Sequence, residues 1–217
     1  MRAILWDNDG VLVDSERIFF DVNREYFARH AVDLSEQNFF DWFLVQDLGA
    51  WHLLADRGYS AADIAHCRAE RNALYSERLA ASPPLANPGV EDVLRAFHRT
   101  IPMAVVTSSS PEHFAAIHDR TGLARYFDFV LTADTYAKAK PAPDPYLKAI
   151  EVLAIRAEHC IAVEDSPRGL AAARAAAVDC VVLRTSLTRG FAFEDALRVV
   201  DSVAELADVL RELAARP

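Results

Sequence analysis

Along most of this chain, short apolar runs that are too brief for a helix alternate with segments of helical period. Ala3–Trp6, Met103–Val106, Phe129–Leu131 and residues 161–163 and 180–183 are rich in Ile, Val and aromatic side chains and are bounded by polar clusters. Each is read as a buried strand. The segments between them open like helices. Val90, Val93, Leu94 and Phe97 recur at spacings of three and four after Pro88-Gly89. Ser110-Pro111 and Asp144-Pro145 each offer a capping side chain followed by Pro at the first helical position, the second ahead of Tyr146, Leu147, Ile150 and Leu153. Ser202-Val203-Ala204-Glu205 is a capping box ahead of Leu206, Val209, Leu210 and Leu213. Strands that alternate with helices predict an α/β fold, a doubly wound parallel sheet of Rossmann type with helices on both faces.

One stretch breaks the alternation. Residues 16–81 carry helix-like patterns only, in three blocks, and are flanked by Asp14-Ser15 and by the Pro-rich Ser82-Pro83-Pro84 and Asn87-Pro88-Gly89. This predicts an all-helical domain over 16–81, inserted into a core domain made of residues 1–15 and 82–217, with both flanks acting as hinges for opening and closing. No internal repeat or low-complexity linker interrupts the pattern.

Composition narrows the class. At 217 residues and 52% apolar content the chain can bury a sizeable core, which excludes intrinsic disorder. A net charge of −9 argues against nucleic acid or an anionic membrane as a partner, because both require clustered Lys and Arg. The three cysteines, Cys67, Cys160 and Cys180, are widely spaced and form no CxxC. They are read as small core residues in a reducing compartment. The first apolar run breaks at Asp7, unlike a signal peptide, and no window approaches a membrane span. A soluble, cytoplasmic protein, monomer or weak dimer, is expected.

In open α/β sheets, ligands bind beyond the carboxyl ends of the strands. There the sequence places Asp7-Asn8-Asp9-Gly10 after the first strand and Thr107-Ser108-Ser109-Ser110 after the second. Lys140-Pro141-Ala142-Pro143-Asp144 comes a short way after the third, and Glu164-Asp165-Ser166 after the fourth. Four carboxylates crowded at one sheet edge repel each other unless a cation sits among them, and an all-oxygen set with room for water suits Mg²⁺. With hydroxyls, backbone N–H groups and one lysine, the set is equipped for phosphoryl transfer. Asp7 can attack phosphorus to form an aspartyl phosphate. Asp9 can protonate the leaving oxygen and then activate water, and Thr107, Lys140 and the loop N–H groups can hold the phosphoryl oxygens. The two aspartates then need different protonation states, with Asp7 ionised beside the metal and Asp9 kept protonated by its like-charged neighbours. Asn8 is expected to contribute only its backbone N–H.

These four motifs resemble those of the haloacid dehalogenase superfamily. Trp6-Asp7-Asn8-Asp9-Gly10-Val11-Leu12-Val13-Asp14-Ser15-Glu16 is similar to its first motif, as found in the branch of β-phosphoglucomutase and the phosphoglycolate phosphatases. Thr107-Ser108, Lys140-Pro141-Ala142-Pro143-Asp144 and Glu164-Asp165-Ser166-Pro167-Arg168-Gly169 resemble the second, third and fourth. The resemblance spans essentially the whole chain, including a helical cap after the first motif. It implies Asp7 as nucleophile and Asp9 as general acid/base, with Thr107, Ser108 and Lys140 on phosphate. It also implies Mg²⁺ on Asp7, the Asp9 carbonyl, Glu164 and Asp165. Where the fourth-motif helix usually ends in Ala-Ala-Gly, this chain has Ala175-Ala176-Ala177-Val178.

Within that superfamily, the dehalogenases proper lack the second aspartate, which is present here as Asp9. Phosphonatases need a cap lysine, and residues 16–81 contain none, since all three lysines (Lys138, Lys140 and Lys148) lie further on. β-Phosphoglucomutase grips a distal phosphate with a Gly-Arg-Ser loop and a cap lysine. The corresponding residues here are Phe43-Leu44-Val45-Gln46-Asp47-Leu48 and Ser76-Glu77, where a bisphosphate would meet repulsion. The reading is therefore a Mg²⁺-dependent phosphatase of a small, sugar-phosphate-like phosphomonoester, with the phosphoglucomutase-type phosphotransferase as the alternative. Gln46, Trp51, His52, Arg24 and Arg71 are cap candidates for substrate contact; Trp51 is expected in the cap's own core and the arginines in solvent.

Overall fold

The computed structural model describes residues 1–215. In chain order its strands are β1 (Ala3–Trp6), β2 (Met103–Val106), β3 (Phe129–Leu131), β4 (Cys160–Glu164), β5 (Asp179–Leu183) and β6 (Arg198–Val200). Its α-helices are α1 (Glu16–Ala28), α2 (Glu36–Phe39), α3 (Trp51–Ala55), α4 (Ala61–Ala81), α5 (Val90–Phe97), α6 (Pro111–Thr121), α7 (Asp144–Leu153), α8 (Pro167–Ala175) and α9 (Val203–Ala215). The chain divides into two compact units, one formed by Ser15–Pro83 and the other by the rest.

In the larger unit the six strands form one sheet in the order β3-β2-β1-β4-β5-β6, with every pairing parallel. Successive strand residues point to opposite faces. Ala3 and Leu5, Ala104 and Val106, Ala162, and Cys180 and Val182 therefore pack with Tyr146 and Ala149 of α7 and with Leu170, Ala172 and Ala173 of α8. Ile4, Trp6, Met103 and Val105, between them in sequence, are buried too, as a sheet covered on both faces requires. The chain lays down β1, β2 and β3 in one direction and then crosses to β4 on the other side of β1. The strand order reverses there, so the crevice at the carboxyl ends of β1 and β4 is the switch point where such sheets bind ligands.

Several local expectations change. β6 has no counterpart in the apolar pattern: it is a three-residue edge strand whose Arg198 is exposed. β4 extends through Glu164, which pairs with Val182 and is thus the strand's last residue, not the first beyond it. Ser110 caps α6 as expected, accepting from the His113 N–H, but Asp144 is the first residue inside α7 and Pro143 precedes it without a side-chain cap. Pro145, Tyr146 and Ala149 are the buried positions of α7, while Leu147 is 49% exposed, because it lies on the opposite side of the helix. Ser202 accepts from the Glu205 N–H, and Glu205 reaches back to the Asp201 N–H, one residue before the expected partner.

In the smaller unit α1 and α4 pack together. The middle of the three helix-like blocks is not one helix but α2, a six-residue π-helical turn (Phe40–Val45), a loop and α3. Aromatic side chains fill the interior: Phe39 stacks on Phe43 at 4.8 Å and Trp51 packs on Phe27 at 4.8 Å. Arg24 is exposed and paired with Asp21. Arg71 is not solvated. Only 8% exposed, its guanidinium lies 4.7 Å from the centre of the Phe19 ring and donates to Asn23 Oδ1 at 3.2 Å. Burial, with Arg68 nearby, lowers its pKa to about 10. No helix among the described residues is long and apolar enough to cross a membrane, and Cys67, Cys160 and Cys180 are all buried and free.

The fourth-motif helix ends as glycine usually would, without one. Ala177 has φ +58° and the Val178 N–H bonds back to the Ala173 carbonyl, closing the last turn. A left-handed Ala costs about 1–2 kcal/mol, whereas glycine's entropic penalty is about 0.5–1 kcal/mol. Ala177→Gly is expected to raise stability by up to about 1 kcal/mol, read as a higher urea midpoint with an unchanged slope.

Candidate active site

Asp7 follows β1, and its N–H donates to the Val163 carbonyl of β4 at 2.9 Å, continuing the ladder one residue past the strand. The chain then turns tightly. Gly10 N–H bonds to the Val13 carbonyl and Leu12 N–H to the Asn8 carbonyl, both at 2.8 Å, while Asn87 Nδ2 donates to the carbonyls of Gly10 and Val11. Asp7 is thereby held at the switch point beside Glu164 and Asp165, and all three carboxylates are buried.

Lys140 comes from the segment after β3 and is 2% exposed. Its ammonium donates to Asp7 Oδ1 at 2.8 Å, Glu164 Oε1 at 2.6 Å and the Val106 carbonyl at 2.8 Å, so each of its three protons has an acceptor. Glu164 Oε1 also accepts from Tyr146 at 2.5 Å. Burial alone would lower the lysine's pKa, but Asp7 and Glu164 outweigh it and raise it. Asp7 also shifts upward, away from the ionised state expected of it. Burial first, then Glu164, push its carboxyl up to about 7 against the opposing pull of Lys140. Three buried carboxylates against one ammonium leave more negative charge than the lysine balances.

The other expected residues are close to this group. Thr107 is fully buried, its Oγ1 accepting from the Ser109 N–H at 3.0 Å. The Ser108 hydroxyl is buried without a hydrogen-bond partner among the described residues. Asp9 Oδ2 accepts from Ser109 Oγ at 2.6 Å and from Asn8 Nδ2 at 3.2 Å. Asn8 thus contributes more than a backbone N–H. Its side chain is fully buried and its Oδ1 lies 2.7 Å from His118 Nε2. Tyr146, Ser109 and His118 are the site residues that sequence reasoning did not single out. An aromatic or a His at helical spacing reads as core, and Ser109 is one hydroxyl in a run of four.

Two glycines make room for the carboxylates. A Cβ on Gly10, where φ is +77°, would lie 1.9 Å from Asp165 Oδ2, and one on Gly169 would lie 1.8 Å from Glu164 Oε2. Asp7, Glu164 and Asp165 each bring an oxygen to within 4.8 Å of the others. This compact all-oxygen, over-negative set fits a hard divalent cation of the Mg²⁺ type.

The family model of haloacid dehalogenase-like hydrolases matches residues 1–177. The chain belongs to that family. It is 30% identical over 186 residues to the fructose-1-phosphate phosphatase YqaB of Escherichia coli, covering 84% of this chain and 96% of that protein. A crystal structure of a CbbY mutant from Rhodobacter sphaeroides in complex with xylulose-(1,5)bisphosphate superposes with a TM-score of 0.78 at 29% identity, covering 95% of this chain and 96% of that one. β-Phosphoglucomutase from Clostridium difficile shares the fold, with a TM-score of 0.84 at 20% identity over 98% of this chain and 96% of that one. The doubly wound core of this hydrolase and the family it resembles are as the sequence predicts.

Two stability effects follow. In Gly169→Ala the added methyl meets the Glu164 carboxylate. Overpacking costs about 1–3 kcal/mol, against a gain of about 1 kcal/mol from alanine's helix propensity. The urea midpoint should therefore fall where propensity alone predicts a rise. Burial lowers the His118 pKa to about 4, against smaller opposing effects of Asp9 and Asp119. Below about pH 6.5 the unfolded chain takes up a proton at this His that the folded chain refuses until about pH 4, so stability is lost on acidification across that window. Relative to the wild type, His118→Gln should gain up to about 3 kcal/mol between those limits, measured as the difference in unfolding free energy at each pH.

Proposed function

We propose that this hydrolase is a Mg²⁺-dependent phosphatase of small phosphorylated sugars, acting through an aspartyl phosphate on Asp7. The observation that carries the reading is a buried carboxylate, Asp7, gripped at one oxygen by Lys140 in a cluster with Glu164 and Asp165, two residues before a second carboxylate held by hydrogen bonds. Lys140 engages Oδ1 and so fixes the rotamer of the Asp7 carboxylate. The Asp7–phosphorus bond forms as the bond from phosphorus to the sugar oxygen breaks, and Asp9 gives that oxygen its proton. Asp9, now ionised, takes a proton from water as that water attacks phosphorus, releasing phosphate and restoring Asp7. Thr107 and Ser108 hold the phosphoryl oxygens, and Lys140, whose three protons are taken by Asp7, Glu164 and Val106, attracts them by its charge. Mg²⁺ bound by Asp7, the Asp9 carbonyl, Glu164 and Asp165 supplies positive charge where negative charge gathers on the phosphoryl group.

The substrate class rests on names and on charge. One similar protein is named for fructose 1-phosphate and another is described with a pentulose bisphosphate bound. Residues 16–81 contain no lysine, so a phosphomonoester is favoured over a bisphosphate, and a hydrolase over the mutase reading.

The test is phosphate release from a panel of sugar monophosphates and a pentulose 1,5-bisphosphate. Wild type with Mg²⁺ should turn over one or more of them. EDTA should silence it, and Asp7→Asn should abolish release to background, which for loss of a nucleophile means about 10⁴-fold or more. Activity that survives both treatments rules out the mechanism. Conversion of a hexose 1-phosphate to its 6-phosphate without net phosphate release would establish the mutase instead.

A further inference from the structure

His118 sits on α6, on the face that carries Phe114 and Ile117. It is 4% exposed and its ring lies 4.2 Å from that of Phe114. Nδ1 is 3.1 Å from Thr121 Oγ1, and Nε2 is 2.7 Å from Asn8 Oδ1. Asn8 in turn reaches Asp9 Oδ2, which also accepts from Ser109 Oγ. A line of hydrogen bonds thus runs from the last residue of a helix, through a His and an amide, to the second carboxylate of the site.

With Asp9 Oδ2 as an acceptor, which it remains when the acid's proton is on Oδ1, one arrangement of protons satisfies every member. A carboxylate oxygen accepts, so Asn8 must turn its NH₂ to Asp9 and its carbonyl to His118. A carbonyl accepts as well, so His118 must carry its proton on Nε2. Nδ1 is then a lone pair, and Thr121 donates to it. The same burial that keeps the imidazole neutral makes each member costly to leave unmatched. An apolar side chain at position 8 would fill the same fully buried space without that cost. The bonds from Asn8 and Ser109 also meet on one oxygen of Asp9, so together they resist rotation of its carboxyl group.

We propose that Asn8 and His118 are positioning residues for Asp9, fixing the orientation in which its carboxyl protonates the leaving oxygen. The proposal rests on the general-acid reading of Asp9 given above. It separates from a purely structural role by its dependence on the leaving group. A para-nitrophenolate departs with little help from an acid, whereas a phenolate needs the proton more, and the two aryl esters are otherwise alike in shape.

The experiment compares kcat/KM for para-nitrophenyl phosphate and phenyl phosphate in the wild type, His118→Phe, Asn8→Leu and His118→Gln. Misplacing the acid should cost about 10- to 100-fold on phenyl phosphate and only about threefold on the nitrophenyl ester. His118→Gln, which keeps an N–H donor where Nε2 lies, should recover most of the loss. Equal losses on the two esters, no loss at all, or a Gln variant no better than Phe would overturn the proposal. A second measurement does not depend on turnover. The ¹⁵N shifts of His118 in the wild-type protein at neutral pH should report the Nε2–H tautomer, and the Nδ1–H tautomer would overturn the network even if the protein hydrolyses neither ester. Inactivity toward both esters would count against the phosphatase reading and leave the tautomer to decide the network.

Discussion

The ammonium of Lys140 is the interaction on which the rest of this site depends. Burying an isolated charge costs many kcal/mol, and it persists only where partners satisfy it. Here three acceptors do so, and they come from the end of β1 (Asp7), the last residue of β2 (Val106) and the last residue of β4 (Glu164). The lysine itself arrives from beyond β3. One side chain therefore ties together the carboxyl ends of β1, β2 and β4 around the switch point. The arrangement also explains why both partners shift upward: the carboxylates retain the lysine's proton, and burial with the crowding by Glu164 raises Asp7 toward neutrality.

Most of the core was legible because burial on both faces of a parallel sheet leaves an apolar run that no exposed element imitates. Ala3–Trp6 and Met103–Val106 are strands with the residue limits that the apolar runs predict. β6 was not legible, since three residues at a sheet edge, one of them an exposed arginine, bury too little to stand out. The end of β4 was misplaced for a related reason. Glu164 breaks the apolar run, yet it stays in the ladder because Lys140 and Tyr146 satisfy its carboxylate inside the protein.

The same logic separates the site residues that sequence reasoning reached from those it missed. Asp7, Asp9, Lys140, Glu164 and Asp165 are charged, and charge next to a predicted strand end is conspicuous. Tyr146 and His118 are amphipathic, and a helical period assigns their apolar bodies to the core without showing where the polar atom points. Arg71 shows the converse. Its charge suggested solvent, but its stem and guanidinium lie against the aromatic interior of residues 15–83, where ring faces and Asn23 stand in for a carboxylate.

The distance along the chain between Asp7 and Lys140 has a consequence for synthesis. They are 133 residues apart, and at about 5–20 residues per second the ribosome takes roughly 7–27 s to supply the second after the first. Throughout that interval β1 exists without the counter-charge that makes its carboxyl end tolerable inside a protein. The sheet cannot close around Asp7 in its final form until the segment beyond β3 has emerged, and β4 and β5 follow it. The nascent chain therefore holds the Asp7–Asp9 turn in water until late, which delays commitment of the central strand to the core until most of its neighbours are available.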